Sequence, residues 1–112
     1  MIIKADTHND YLLAELQLKE ANLVEAERFK NEMIHILDQG HKAIIVSFEK
    51  VDYIDSSFLG ALVSSLKYAM SQNADIAVAF LNKDIHNLFH LIRMDKVFTV
   101  HNALPEKFYG EK

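Results

Sequence analysis

Cysteine is absent from the 112 residues, which excludes disulfides, thiolate nucleophiles and cysteine-based zinc sites. Glycine occurs three times, at Gly40, Gly60 and Gly110, too rarely and too far apart for a Walker A loop or a dinucleotide fingerprint. A single proline, Pro105, leaves little room for linkers, and no low-complexity segment or internal repeat interrupts the chain. No apolar run approaches the ~20 residues that span a bilayer, so no membrane insertion is expected. Basic blocks are also missing, and the net charge of −4 argues against nucleic acid as a partner. The first residues, Met1-Ile2-Ile3-Lys4-Ala5-Asp6, have neither the charge order nor the cleavage site of a signal peptide, and the expected compartment is the cytoplasm. What is present is the balance of an ordinary globular protein: half of the residues apolar and a quarter charged. The length predicts one domain over residues 1–112, with a core that needs no staples.

Apolar periodicity divides the chain into alternating elements. Ile2 to Ala5 reads as a short edge strand, Asn9-Asp10 as a turn, and Tyr11 to Leu18 as a half-buried strand with Leu12, Ala14, Leu16 and Leu18 on one face. Asn22 caps a helix running to about Gln39, with Phe29, Met33, Ile36 and Leu37 inward. Gly40 suits the left-handed position just past its end. Ala43 to Phe48 reads as a buried strand. A loop anchored by Val51 and Ile54 then leads to a second helix, which begins at Ser56 or Ser57 and buries Leu59, Leu62, Val63, Leu66 and Met70. Ile76 to Leu81 is another buried strand. Asn82 caps a third helix, Lys83 to about Arg93, with Ile85, Leu88, Phe89 and Ile92 inward. Val97 to Val100 is a last strand, and Pro105 opens a tail that closes in a helical turn around Phe108. The order β-β-α-β-α-β-α-β predicts an α/β domain with a mixed sheet of four to five strands and helices packed on it.

In such sheets, sites collect on the loops that leave the carboxyl ends of strands. The loop from Ser47 to Ser57 is one, and it delivers Asp55-Ser56-Ser57 to the start of the second helix. The simplest reading is a cap, with Asp55 or Ser56 accepting free helix N–H groups. Two hydroxyls after an acid exceed what one cap requires. The helix also stacks Ser57, Ala61, Ser64 and Tyr68 in a small, uncharged stripe suited to close contact with another surface. Other polar groups read as background. His86 and His90 share a helix face but lack a third metal ligand, and Glu25, Glu27 and Glu32 read as a solvated helix face.

Asp55-Ser56-Ser57-Phe58-Leu59-Gly60 resembles the D-S-S/T-G-L-G signature of the STAS domain, as found in bacterial anti-sigma factor antagonists. Leu16-Gln17-Leu18, Asn22 and Glu25-Ala26-Glu27 are similar to its second strand, loop and first helix. Leu88-Phe89 and Met94-Asp95-Lys96-Val97-Phe98 are similar to its third helix and last strand. The resemblance implies a single STAS-like domain acting as a phosphorylation-switched binding protein and not as an enzyme, with no cofactor and no metal. It makes Ser56 the phosphoacceptor of an anti-sigma factor with serine kinase activity. The unphosphorylated form would sequester that factor and release a sigma factor, and a PP2C-type phosphatase would reset the cycle. Asn22, Asp55, Ser57, Phe58 and Ala61 become the partner-binding residues.

Phe58 stands where the signature has glycine, and its ring either packs over the loop or anchors a partner. Arg93 and Met94 stand where small residues are common. Two other readings remain open. One is a STAS-like scaffold or transporter-accessory subunit in which Ser56 is only a helix cap. The other is a receiver-like domain phosphorylated on Asp52 or Asp55.

Overall fold

The computed structural model describes residues 1–108. Strands β1 (Ile3–His8) and β2 (Tyr11–Leu16) form an antiparallel hairpin through a turn at Asn9, whose φ is +26°. Strand β2 then leads through a two-residue strand, β3 (Glu20–Ala21), into helix α1 (Leu23–Asp38) and strand β4 (Ala43–Ser47). A second two-residue strand, β5 (Tyr53–Ile54), precedes helix α2 (Ser56–Ser71) and strand β6 (Asp75–Ala79). Helix α3 (Lys83–Leu91), a 3-10 turn (Met94–Lys96) and strand β7 (Val100–His101) complete the fold.

The main sheet has the order β1-β2-β4-β6-β7, antiparallel at its first pair and parallel elsewhere. Strand order follows chain order, so three crossovers of one hand place all three helices on the same face. The buried residues of the helices join one core with Leu12, Ala14, Leu16, Ile44, Val46, Ile76 and Val78 of the sheet. The α/β single domain with a mixed five-stranded sheet follows the expectation from periodicity. Gly40 at φ +97° ends α1 as its position required.

The opposite sheet face carries a smaller cluster of Tyr11, Ile45, Ala77, Ala79 and Phe108. The chain after β7 straps it. The Tyr11 hydroxyl donates to the Pro105 carbonyl at 2.8 Å, Asn9 Nδ2 donates to the Glu106 carbonyl at 2.9 Å, and the Phe108 amide donates to Asp10 Oδ1 at 3.0 Å. Phe108 itself stands in a turn, and the rest of the helical turn expected around it lies outside the described residues.

Several expectations change. Met70 is 63% exposed and Ile92 41%, because α2 and α3 outrun the sheet beneath them. The last strand begins at Val100, since residues 94–96 wind into the 3-10 turn. Glu32 is no solvated side chain: its carboxylate accepts the amides of Ile2 and Ile3 at 3.1 and 3.0 Å and holds the chain start against α1.

Candidate functional site

The site forms where α1 and α2 begin. Strands β3 and β5 pair in parallel, Glu20 with Tyr53 and Ala21 with Ile54, so the two loops that feed these helices are fastened side by side. The Lys19 carbonyl accepts the Asp52 and Tyr53 amides, and the Ala21 carbonyl accepts the Asp55 amide at 2.9 Å. Asn82 fastens the same loop from the other side. While Oδ1 caps α3 at the Ile85 amide, Nδ2 donates to the carbonyls of Val51 and Asp52.

Asp55 is the N-cap of α2, and its two oxygens serve two helices. Oδ1 accepts the Phe58 amide at 2.9 Å, and Oδ2 accepts the Leu23 amide, the first of α1, also at 2.9 Å. Asn22 Oδ1 accepts the next amide of α1, that of Val24, at 3.1 Å. One carboxylate thus neutralises two positive helix ends and locks their spacing.

With Asp55 in the cap, Ser56 is the first helical residue. Its side chain is exposed and makes no hydrogen bond among the described residues. The reading of Ser56 as a cap therefore fails, because Asp55 already holds that position. Ser57 is half-buried beside it. The resulting arrangement is a free hydroxyl at the positive end of a sixteen-residue helix, open to a visiting enzyme.

Of the expected partner contacts, Asn22, Asp55 and Ser57 lie at this rim with part of their surface open. Phe58 does not. It is 0% exposed, and its ring packs 4.8 Å from that of Phe29, filling the space between α2 and α1. Ala61 is 8% exposed, and the Tyr68 hydroxyl donates to the Asp38 carboxylate of α1. Phe58 and Ala61 are thus withdrawn as surface contacts, because the small-residue stripe is taken up largely by α1. Periodicity could not show which surface the stripe met.

Sequence reasoning missed three surface residues. Leu23 is 69% exposed, Val24 81% and Tyr53 54%. All three flank Asp55 and Ser56. The available signal was Leu23-Val24 directly after a cap, an apolar pair in a first turn where an acid would favour the helix dipole.

The hairpin, the three one-sided crossovers and the exposed serine at the α2 start define a small one-sided α/β domain. Comparison with protein families matches residues 17–107 to the STAS domain. The chain belongs to the STAS domain family. A candidate anti-sigma factor antagonist of Thermotoga maritima is 27% identical over 89 residues, 79% of each chain. The crystal structure of a Thermotoga maritima protein of that description superposes with a TM-score of 0.83 at 23% identity, covering 91% of this chain and 87% of that one. Bacillus SpoIIAA, solved in its phosphorylated form, gives a TM-score of 0.67 at 14% identity over 90% of this chain and 92% of its own. No helix among the described residues is long and apolar enough to cross a membrane.

Proposed function

We propose that this chain is a non-enzymatic, cytoplasmic switch whose state is written on Ser56. In its unmodified form it binds an anti-sigma factor with serine kinase activity and so releases a sigma factor. That kinase phosphorylates Ser56, and a PP2C-type phosphatase restores the hydroxyl. Nothing in this cycle asks the chain to hold a cofactor; ATP and magnesium belong to the kinase. The observation that carries the reading is the exposed Ser56 hydroxyl at the start of α2, unbonded among the described residues, at a rim where Leu23, Val24 and Tyr53 are also exposed.

The chemistry supports it. A phosphoryl group at the first helical position meets the positive helix end, so the modified chain keeps its fold. It adds a charge of about −1.5 to −2 beside Asp55 and Asp52. A partner fitted to a neutral hydroxyl among apolar side chains would then bury an anion. A penalty of ~2.8 kcal/mol is enough for a hundredfold loss of affinity. Asp55 positions both helices, and Asn22 and Ser57 complete the contact surface. The test uses a purified anti-sigma factor with serine kinase activity: Ser56→Ala should retain binding and take up no phosphate, whereas Ser56→Asp should bind more weakly. Equal recovery of both variants would leave the scaffold reading in its place.

A further inference from the structure

Apart from Met1 at the chain start, the large apolar side chains left open to solvent gather at two opposite rims. Leu23, Val24 and Tyr53 lie on the two segments that Asp55 and the β3–β5 pairing hold together beside Ser56. Met70, Leu91, Ile92 and Val97 stand where α2 and α3 end. The second group borders two clefts. One, of about 380 Å³, is lined by Lys42, Met70, Asp75 and Val97. The other, of about 290 Å³, is lined by His90, Leu91, Arg93, Asp95 and Lys96.

The two rims differ in charge. Around Ser56, Glu20, Glu27, Glu49 and Asp52 are exposed, and Glu25 and Asp55 are half-buried. Of the cations there, Arg28 already faces Glu25 at 3.9 Å and Lys50 faces Glu15 at 3.8 Å, which leaves Lys19 and, at the start of α3, Lys83 beside Asp84. At the other rim the order reverses. Lys42, Lys67, Arg93 and Lys96 are exposed, Lys42 donating to the Gln72 carbonyl at 2.6 Å, against the three carboxylates of Asp38, Asp75 and Asp95, each held in a local bond. Asp38 accepts from Tyr68, Asp75 accepts the Ile76 amide, and Asp95 pairs with His90 at 2.9 Å. Arg93 adds an independent sign. It sits at φ +64° just past α3, where glycine is the unstrained choice, so a guanidinium is kept at this rim against backbone strain.

We propose that the basic, apolar rim docks the acidic, apolar rim of a second copy of this chain, head to tail. Charge selects this occupant. The same rim on two copies would set cations against cations, whereas the Ser56 rim supplies both the apolar side chains and the carboxylates that fit. The contact is heterologous, so it builds short rows of protomers and not a closed pair. In each row only the end copy shows Ser56. Self-association therefore competes with any partner of that rim, whether or not Ser56 is modified.

Sedimentation velocity on the full chain, from micromolar to millimolar and in low and high salt, tests this. The mean mass should rise above one chain with concentration and fall back in high salt. Val24→Lys spoils the acidic rim and Met70→Glu the basic one. These side chains are 81% and 63% exposed, so the fold tolerates both changes. Each variant alone should associate at least tenfold more weakly than the parent. Mixed, they retain one intact rim of each kind and should form a complex of two chains. A parent that stays a single chain at millimolar concentration overturns the proposal, as does a Val24→Lys variant that associates like the parent or a mixture that stays unpaired.

Discussion

Phe58 and Gly60 sit two residues apart in one motif and have opposite fates. Phe58 fills the seam between α1 and α2, so Phe58→Ala should destabilise the chain by about 3–5 kcal/mol in urea unfolding. A loss below ~1 kcal/mol would mean that the ring is not the seam's filler. Gly60 is exposed on α2, between half-buried Leu59 and buried Ala61, with open space where a Cβ would stand. Gly60→Ala should therefore stabilise the fold by about 0.5–1 kcal/mol. If it also weakens partner binding, the glycine is kept for close approach and not for the fold. Asp55→Ala removes acceptors from two helix starts, and a loss of about 1–2 kcal/mol is expected. Hydrogen exchange should then accelerate at the Leu23 and Phe58 amides together; faster exchange at Phe58 alone would argue against the shared carboxylate. At this scale the sequence disclosed Asp55, Ser56 and Asn22 through residue type and position. It did not disclose that Asp55 reaches α1, because a contact across 32 residues leaves no local pattern.

The elements were legible wherever one principle dominated. The periodic stripes of α1 and α2, the caps at Asn22, Asp55 and Asn82, and Gly40 past α1 all announce themselves. Strands β3 and β5 did not, since two residues carry no periodicity and exist only by pairing with each other. Strand β7 begins later than its apolar run suggests for the same reason: its bonds go to a distant strand. It also carries a titration. His101 shares its sheet face with Ala79 by register, and its Nε2 is buried with no hydrogen-bond partner among the described residues. Burial holds this imidazole below its ordinary value. The unfolded chain therefore takes up the proton at higher pH than the folded chain does. The favourable contribution is intact above the ordinary histidine value of ~6.5 and is lost as pH falls below it. Asp95 acts in a separate window. The His90 hydrogen bond holds its carboxyl below the usual range, so its contribution fades only in stronger acid. Urea midpoints at pH about 7.5 and about 5.5 should differ less in His101→Leu than in the parent. An equal difference would remove His101 from the pH dependence.

The whole molecule is a one-sided α/β domain whose sheet and crossovers bring two helix starts to one rim. Its STAS architecture follows from chain order, hairpin and crossover hand, which is why fold class could be read from one sequence while the docking surface could not. Surface exposure of Leu23, Val24 and Tyr53 is a property of the assembled rim, invisible to any single segment. The function proposed for that rim needs no large motion. Ser56 is already exposed, and the modified residue would change the charge of a surface that keeps its shape. The decisive measurement is calorimetric binding of the purified anti-sigma kinase to this chain with Ser56 unmodified and with Ser56 phosphorylated, the modified residue confirmed by mass spectrometry. The expected result is phosphate on Ser56 alone and an affinity at least a hundredfold weaker for the modified form. Equal dissociation constants for the two forms, or phosphate on another residue, would contradict the switch.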